Sequence, residues 1–309
     1  MKTVPFGSET APAVIAGMMR IPDKTDAEVR ELYDTAREAG VDFFDHADIY
    51  GGAMHVCEDR FASALNLSTA ERSEITIQTK AGIVPEHQMF DFSYEHLIAQ
   101  VEGSLKALRT DYIDVLLLHR PDALVEPEEV ARAFDELSAS GKVRAFGVSN
   151  HTPRQIDLLR TAVTQPLIAN QLQLSITHSP IIAQGVAANM DGAVQSVVLD
   201  GGGIVDYCRI NGITIQAWSP FQAGFFNGVF LDNPDYPELN AVLKRLAAKY
   251  DVTPLGIATA WITRHPAKMQ VVLGTTTPQR VADAAAGADV ELTRPEWYEL
   301  FRTAGHIVP

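Results

Sequence analysis

Eight short apolar runs, each followed by an amphipathic helical pattern, predict a single (β/α)8 barrel for this chain of 309 residues. Two further observations point the same way. No shift in composition divides the chain, and its length exceeds the roughly 250 residues such a barrel needs, leaving room for long mouth loops and extra helices. The structural alternative, an open doubly wound sheet, announces itself with Gly-x-Gly-x-x-Gly after its first strand. Here that strand runs into Ala16-Gly17-Met18-Met19 instead. Gly201-Gly202-Gly203 is no phosphate loop either, because no strand feeds it and no Walker-type Lys follows.

Taken in order, the first strand is Ala13 to Ala16, ending at Gly17. A helix over 26–39 carries Val29, Leu32, Tyr33 and Ala36 at helical spacing, and Gly40 stops it. The second strand, Asp42 to Phe44, delivers the loop Asp45-His46-Ala47-Asp48-Ile49-Tyr50-Gly51 before a helix over 54–65. The third, Ile75 to Thr79, ends at Lys80. A long loop with Pro85, His87, Met89 and Phe90 then leads to a helix over 93–108, with Ser93 as its N-cap. The fourth strand, Ile113 to Leu118, ends in His119-Arg120-Pro121-Asp122. Pro127, Glu128 and Glu129 open the next helix, as Pro and acids should.

The fifth strand, Arg144 to Val148, ends at Ser149-Asn150, and Thr152-Pro153 starts another helix. The sixth, Ile168 to Leu172, carries Asn170 and Gln171. An excursion over 178–203 is longer than such connections usually run and predicts a lid or substrate loop, followed by a short helix to Arg209. The seventh strand, Gly212 to Ala217, ends in Trp218-Ser219-Pro220 and a loop rich in Phe. Helices over 237–249 and 254–264 precede the eighth strand, Gln270 to Leu273. Thr277-Pro278 begins the next helix, and a last one starts near Thr293.

Composition narrows the function. With 39 acids against 25 Lys and Arg, the net charge of −14 disfavours nucleic acid and anionic membranes as partners. Two cysteines, Cys57 and Cys208, lack metal-site spacing and read as ordinary thiols, Cys57 in the core. No apolar h-region opens the chain and no run is long enough to span a bilayer, so a cytoplasmic location is expected. No oligomeric state follows from the sequence.

Four residues stand at the C-terminal ends of three early strands: Asp45 and Tyr50, Lys80, and His119. In a barrel those ends surround one mouth, where such folds place their chemistry. Alone, Asp45 would cap a turn and Lys80 would snorkel. Together the types make a tuned proton donor. A phenol is a weak acid at neutral pH; a neighbouring ammonium lowers its pKa, and a carboxylate holds the ammonium charged and in place. A neutral His119 would orient a carbonyl oxygen. Such a set protonates an alkoxide as it forms, which is what carbonyl reduction by hydride needs.

The chain resembles the aldo-keto reductase superfamily nearly end to end, especially bacterial members reading His-Ala-Asp-Ile-Tyr-Gly. The motifs are Asp45 to Gly51, Gln78-Thr79-Lys80, Leu117 to Asp122, Gly141 to Asn150, Asn170-Gln171, Ala217 to Pro220 and Gly274-Thr275-Thr276. The resemblance implies NADPH-dependent reduction of an aldehyde or ketone, with Tyr50 as acid, Lys80 and Asp45 tuning it, and His119 orienting substrate. It further implies that Gly17, Met18, Ser149, Asn150, Gln171 and Trp218 hold the nicotinamide end. Ser219 and Phe221 would cover the pyrophosphate. Thr275, Thr276, Thr277 and Arg280 match the segment that takes the adenosine 2′-phosphate, Asp283 matches an acidic adenine contact, and Gly274 is a further expected cofactor contact. Thr277-Pro278, as N-cap and first helical residue, would turn a positive helix end toward that phosphate. Thr275 stands where many members carry Lys, and Ala284 where many carry Asn.

Met19, Phe90 and Phe225 are the expected substrate contacts, with Met89, His87 and Phe226 near the same mouth. No metal is expected. Two other functions compete: a catalytically idle NADP-binding module that senses redox state for a partner protein, and a metal-dependent barrel hydrolase using His46, Asp48, His119 and Lys80.

Overall fold

The computed structural model describes residues 1–187, 203–224 and 227–308. An antiparallel hairpin, β1 (Thr3–Phe6) and β2 (Glu9–Pro12), opens the chain. The barrel then begins with β3 (Val14–Gly17), β4 (Phe43–Asp45) and β5 (Thr76–Ala81). A second small hairpin, β6 (Ile83–Val84) with β7 (Met89–Phe90), follows β5. The remaining barrel strands are β8 (Ile113–Leu118), β9 (Val143–Ser149), β10 (Leu167–Gln173), β11 (Thr214–Trp218) and β12 (Gln270–Leu273). All eight barrel neighbours pair in parallel, and β12 meets β3 to close the ring, as the strand–helix alternation predicts.

The expected strands are all present, and β8 and β12 have the expected bounds. β5 extends to Ala81, so Lys80 lies within the strand and not at its end. Four elements carried no strong periodic signal: both small hairpins, and the short helices Thr69–Ser73 and Pro180–Val186. Most of the 178–203 excursion lies outside the described residues.

The first hairpin floors the barrel. Phe6 meets Phe43 edge-on at 5.4 Å, and Thr214 and Gln270 side chains donate to the carbonyls of Pro5 and Pro12. Above this floor Phe6, Ile15, Phe43, Val115, Leu117, Ala169 and Val272 pack as one apolar layer. Strand alternation sends Asp45, Gln78, Lys80, Gln171, Gln216 and Gln270 to the same interior, with Gln270 at the level of the floor. A Cβ on Gly287 would lie 2.2 Å from the Gly256 carbonyl oxygen. The lack of one lets helices Pro254–Thr263 and Pro278–Ala288 cross closely, which sets where the second begins beside β12.

Candidate active site

Lys80 is the centre of the site. Its ammonium is fully buried and contacts Asp45 Oδ1 at 2.8 Å, Asp45 Oδ2 at 2.7 Å, the His46 carbonyl at 2.6 Å and Tyr50 Oη at 3.2 Å. A buried charge persists only when paired and hydrogen-bonded, and this one is both. Asp45 is fixed in turn: Oδ1 also accepts from Gln78 Nε2 at 2.6 Å and Gln171 Nε2 at 3.0 Å. Gln216 accepts from both of those amides and donates to Gln78 and Gln270. The carboxylate therefore hangs from a ladder of amides that reaches down to the hairpin floor.

These contacts set the protonation states. Burial works against the Lys80 charge, yet Asp45 and Tyr50 beside it carry its pKa above the usual lysine value. Burial also raises Tyr50, and Lys80 opposes that rise without reversing it. The sequence led us to expect a net lowering; the withdrawal of the phenol from water outweighs the ammonium. His119 is held far below its ordinary value by burial first, then by the nearby Lys80 and Arg120 charges, so it is a neutral imidazole at pH 7. Its ring lies edge-on to Tyr50 at 5.9 Å. Nδ1 is buried without a partner, which leaves Nε2 for the cleft.

Tyr50 and His119 share one cleft of about 660 Å³ with Gly17, Met19, Asp45, Ser149, Asn150, Gln171, Trp218, Ser219 and Phe221. The same wall continues through Gly274, Thr275, Thr276 and Thr277 to Arg280 and Asp283. Lys80 stands behind this wall, reaching it through Tyr50 and Asp45. Met18 does not line the cleft: it is buried in the core, because β3 alternation turns it away from the mouth that Gly17 and Met19 face. Phe90 is exposed on the β6–β7 hairpin, off the cleft wall, as are Met89 and His87. Phe225 and Phe226 lie outside the described residues. Ile49, Ile83, Arg20, Arg120, Val229 and Leu231 also line the cleft. Arg120 was the legible omission, since it directly follows His119 at the same strand end.

Asn150 and Ser219 end β9 and β11 in the left-handed region, at φ of 60° and 52°. Such backbone costs on the order of 1–3 kcal/mol for a non-glycine residue, and here it aims both residues into the cleft. Asn150 Nδ2 donates to Ser149 Oγ at 2.8 Å, and Trp218 Nε1 donates to Asn150 Oδ1 at 3.1 Å. Trp218 is thus held at its edge where it lines the cavity.

The far end departs from expectation in one detail. Helix Pro278–Ala288 has Thr277 at its N-cap, but the Thr277 side chain makes no cap bond; its own N–H donates to Thr275 Oγ1 at 3.1 Å. Thr25, Ser68, Thr152, Thr253 and Thr293 all cap their helices with ψ near 160°, whereas Thr277 has ψ 113°. The first turn of this helix is left uncapped where it faces the cleft. Arg280 in that turn is exposed and pairs with no acid among the described residues.

His46 and Asp48, needed by the hydrolase reading, are fully buried and do not line the cleft; His46 packs against Phe61 at 4.8 Å. Cys57 and Cys208 are both buried in the core. Among the described residues, no helix is long and apolar enough to cross a membrane.

A closed parallel barrel thus carries a Tyr–Lys–Asp–His set near its C-terminal mouth. The model of the Aldo/keto reductase family matches residues 13–302, and the chain belongs to that family. Oxidoreductase YcsN of Bacillus subtilis is 35% identical, over 96% of this chain and 95% of its own. A 6-dehydroglucose reductase of Agrobacterium fabrum is 34% identical, over 94% of this chain and 93% of its own. A thermostable aldo-keto reductase crystallised with the inhibitor epalrestat superposes with a TM-score of 0.77 at 22% identity, covering 98% of this chain and all of that one.

Proposed function

We propose that this protein is an NADPH-dependent reductase that converts an aldehyde or ketone to an alcohol, with Tyr50 as general acid. The observation that carries the reading is the buried Lys80 ammonium, which joins Asp45 to Tyr50 while Tyr50 and His119 face one cleft.

The residues along the cleft fit a nicotinamide dinucleotide. Gln171 commits its Nε2 to Asp45 and Gln216, leaving Oε1 for an amide donor such as the carboxamide. Trp218, held by Asn150, offers a flat face for the ring. The uncapped helix end at Thr277 and the unpaired Arg280 suit a phosphate, which supports NADP(H) over NAD(H). When bound, that cofactor supplies the hydride.

The chain's own residues do the rest. His119 Nε2, with the ring neutral, donates a hydrogen bond to the carbonyl oxygen and orients it. Tyr50 gives its proton to that oxygen as negative charge develops. Lys80 then stabilises the phenolate left behind, and Asp45 keeps Lys80 in place. Because burial raises Tyr50, the phenol stays protonated through neutral pH, the state reduction needs.

Tyr50→Phe tests the reading. Turnover should fall by at least about a thousandfold, the upper part of the range for general acid catalysis. Quenching of tryptophan fluorescence by NADPH should persist. A wild type that binds NADPH yet reduces no carbonyl compound would restore the idle redox-sensing module.

A further inference from the structure

Beyond helping to keep His119 neutral, Arg120 has no use in the chemistry above. It follows His119 at the end of β8, is half-buried, and lines the cleft beside Tyr50, His119 and Trp218. Its guanidinium lies 5.8 Å from the centre of the Trp218 ring, within reach of a cation–π contact that holds the plane. It makes no hydrogen bond or ion pair among the described residues.

The surroundings sharpen that isolation. The nearby acids are engaged elsewhere. Asp45 is held by Lys80, Asp122 accepts from the N–H groups of Phe92 and Leu124, and Asp232 pairs with Lys244. The other cleft-facing arginines lie apart: Arg20 donates to the Gly274 carbonyl, and Arg280 sits at the uncapped helix end. The wall around Arg120 is largely apolar, with Ile49, Ile83 and Trp218. The five donors of Arg120 have no protein partner among the described residues and stand open to the cleft, where a ligand can take them. Its planar fork matches an oxyanion in two-point contact.

We infer that Arg120 selects carbonyl substrates that carry a carboxylate or phosphate, binding that oxyanion while His119 and Tyr50 address the carbonyl. The inference rests on the carbonyl-reductase reading of the same cleft. In a chain of net charge −14, Arg120, the one unpaired cation at the reacting end among the described residues, supplies local attraction against the general field.

Two matched pairs test it in the full-length protein: 4-carboxybenzaldehyde against methyl 4-formylbenzoate, and glyceraldehyde 3-phosphate against glyceraldehyde. Wild type should favour the anion of at least one pair by tenfold or more in kcat/KM, chiefly through KM, and added salt should erode the preference. Which pair shows it separates carboxylate from phosphate. Arg120→Met should bring the ratio close to one, and Arg120→Lys should leave an intermediate ratio, because a point charge lacks the fork. No preference in either pair, or a preference that survives Arg120→Met, overturns the inference. So does a loss of NADPH affinity in Arg120→Met equal to the loss of turnover, since the guanidinium would then serve the cofactor. Should wild type reduce none of the four, calorimetry with 4-carboxybenzyl alcohol and glycerol 3-phosphate decides separately. Binding that requires Arg120 upholds the anion site while the reductase reading falls, and binding to neither overturns both.

Discussion

Replacing Lys80 with Met isolates the ammonium at the centre of the site. Met is nearly as long and apolar, so the interior stays filled. The change removes a charge 3.2 Å from Tyr50 Oη and contacts of 2.7 and 2.8 Å to Asp45. At an effective dielectric constant of about 20, a unit charge at that distance favours the phenolate by about 5 kcal/mol. The Asp45 carboxylate opposes the phenolate in both proteins and so does not offset this loss, which corresponds to at most about four pH units and, after screening by the cleft solvent, to about one or more. The sign follows directly. Losing a neighbouring cation raises the pKa of an acid, and Tyr50 is already raised by burial. Oxidation of the product alcohol needs phenolate as base, so its alkaline rise should move up by about one unit or more. Reduction at pH 7 should fall by about a hundredfold or more. Asp45 would remain buried with only Gln78 and Gln171 as donors, lowering stability by about 3 kcal/mol. The assay is kcat in both directions from pH 6 to 10, with circular dichroism and NADPH titration confirming a folded, binding-competent variant. A variant within threefold of wild type at pH 7, or an alkaline rise that stays in place, refutes the role given to Lys80.

Arg280→Met should weaken NADPH binding by about tenfold to a hundredfold and leave NADH binding nearly unchanged, as measured by parallel fluorescence titrations; an equal effect on both would mean that Arg280 reads no 2′-phosphate. Asp48 is buried with neither carboxylate oxygen bonded, and burial followed by the nearby Glu58 charge pushes its pKa up to about 7. The folded protein thus keeps a proton that the unfolded chain releases near the ordinary carboxylate value, so this group costs stability progressively as pH rises through that window. Asp48→Asn should therefore match wild type near pH 4 and exceed it by about 2 kcal/mol or more at pH 8 in urea unfolding; a constant difference at both pH values refutes the assignment. Cys57, whose thiol burial raises to about 11, should react with a thiol reagent no faster than the protein unfolds, and fast labelling of the native state would contradict its place in the core.

Some mismatches between sequence and structure have plain physical causes. Lys80 reads as a strand terminus because its neighbours Thr79 and Ala81 give little periodic contrast, and inter-strand pairing to Leu117 and Leu118 carries β5 past it. Thr277 before Pro278 reads as an N-cap, but Arg280 stands where the capped helices mostly carry Glu or Gln, and at ψ 113° the Thr277 side chain makes no cap bond. Phe90 looks like a mouth residue, yet the β6–β7 pairing places it in solvent. Met18 and Met19 are indistinguishable in composition; a single step of strand alternation puts one in the core and the other on the cleft.

By itself the sequence determined the barrel, because hydrophobic periodicity and the helix stop and start signals are local properties of the chain. It likewise determined which residue types arrive near the mouth, since Asp45 and His119 stand at strand ends, Tyr50 on the loop after one and Lys80 one residue inside another. Only the tertiary structure decided how those groups behave. The amide ladder of Gln78, Gln171, Gln216 and Gln270 is assembled from four strands far apart in the chain, and no local pattern announces it. The upward displacement of Tyr50 depends on how deeply the phenol is withdrawn from water relative to the strength of one ammonium, a balance of opposing terms that exists only in the packed site. The isolation of Arg120 is decided the same way, by which acids the fold has already engaged elsewhere.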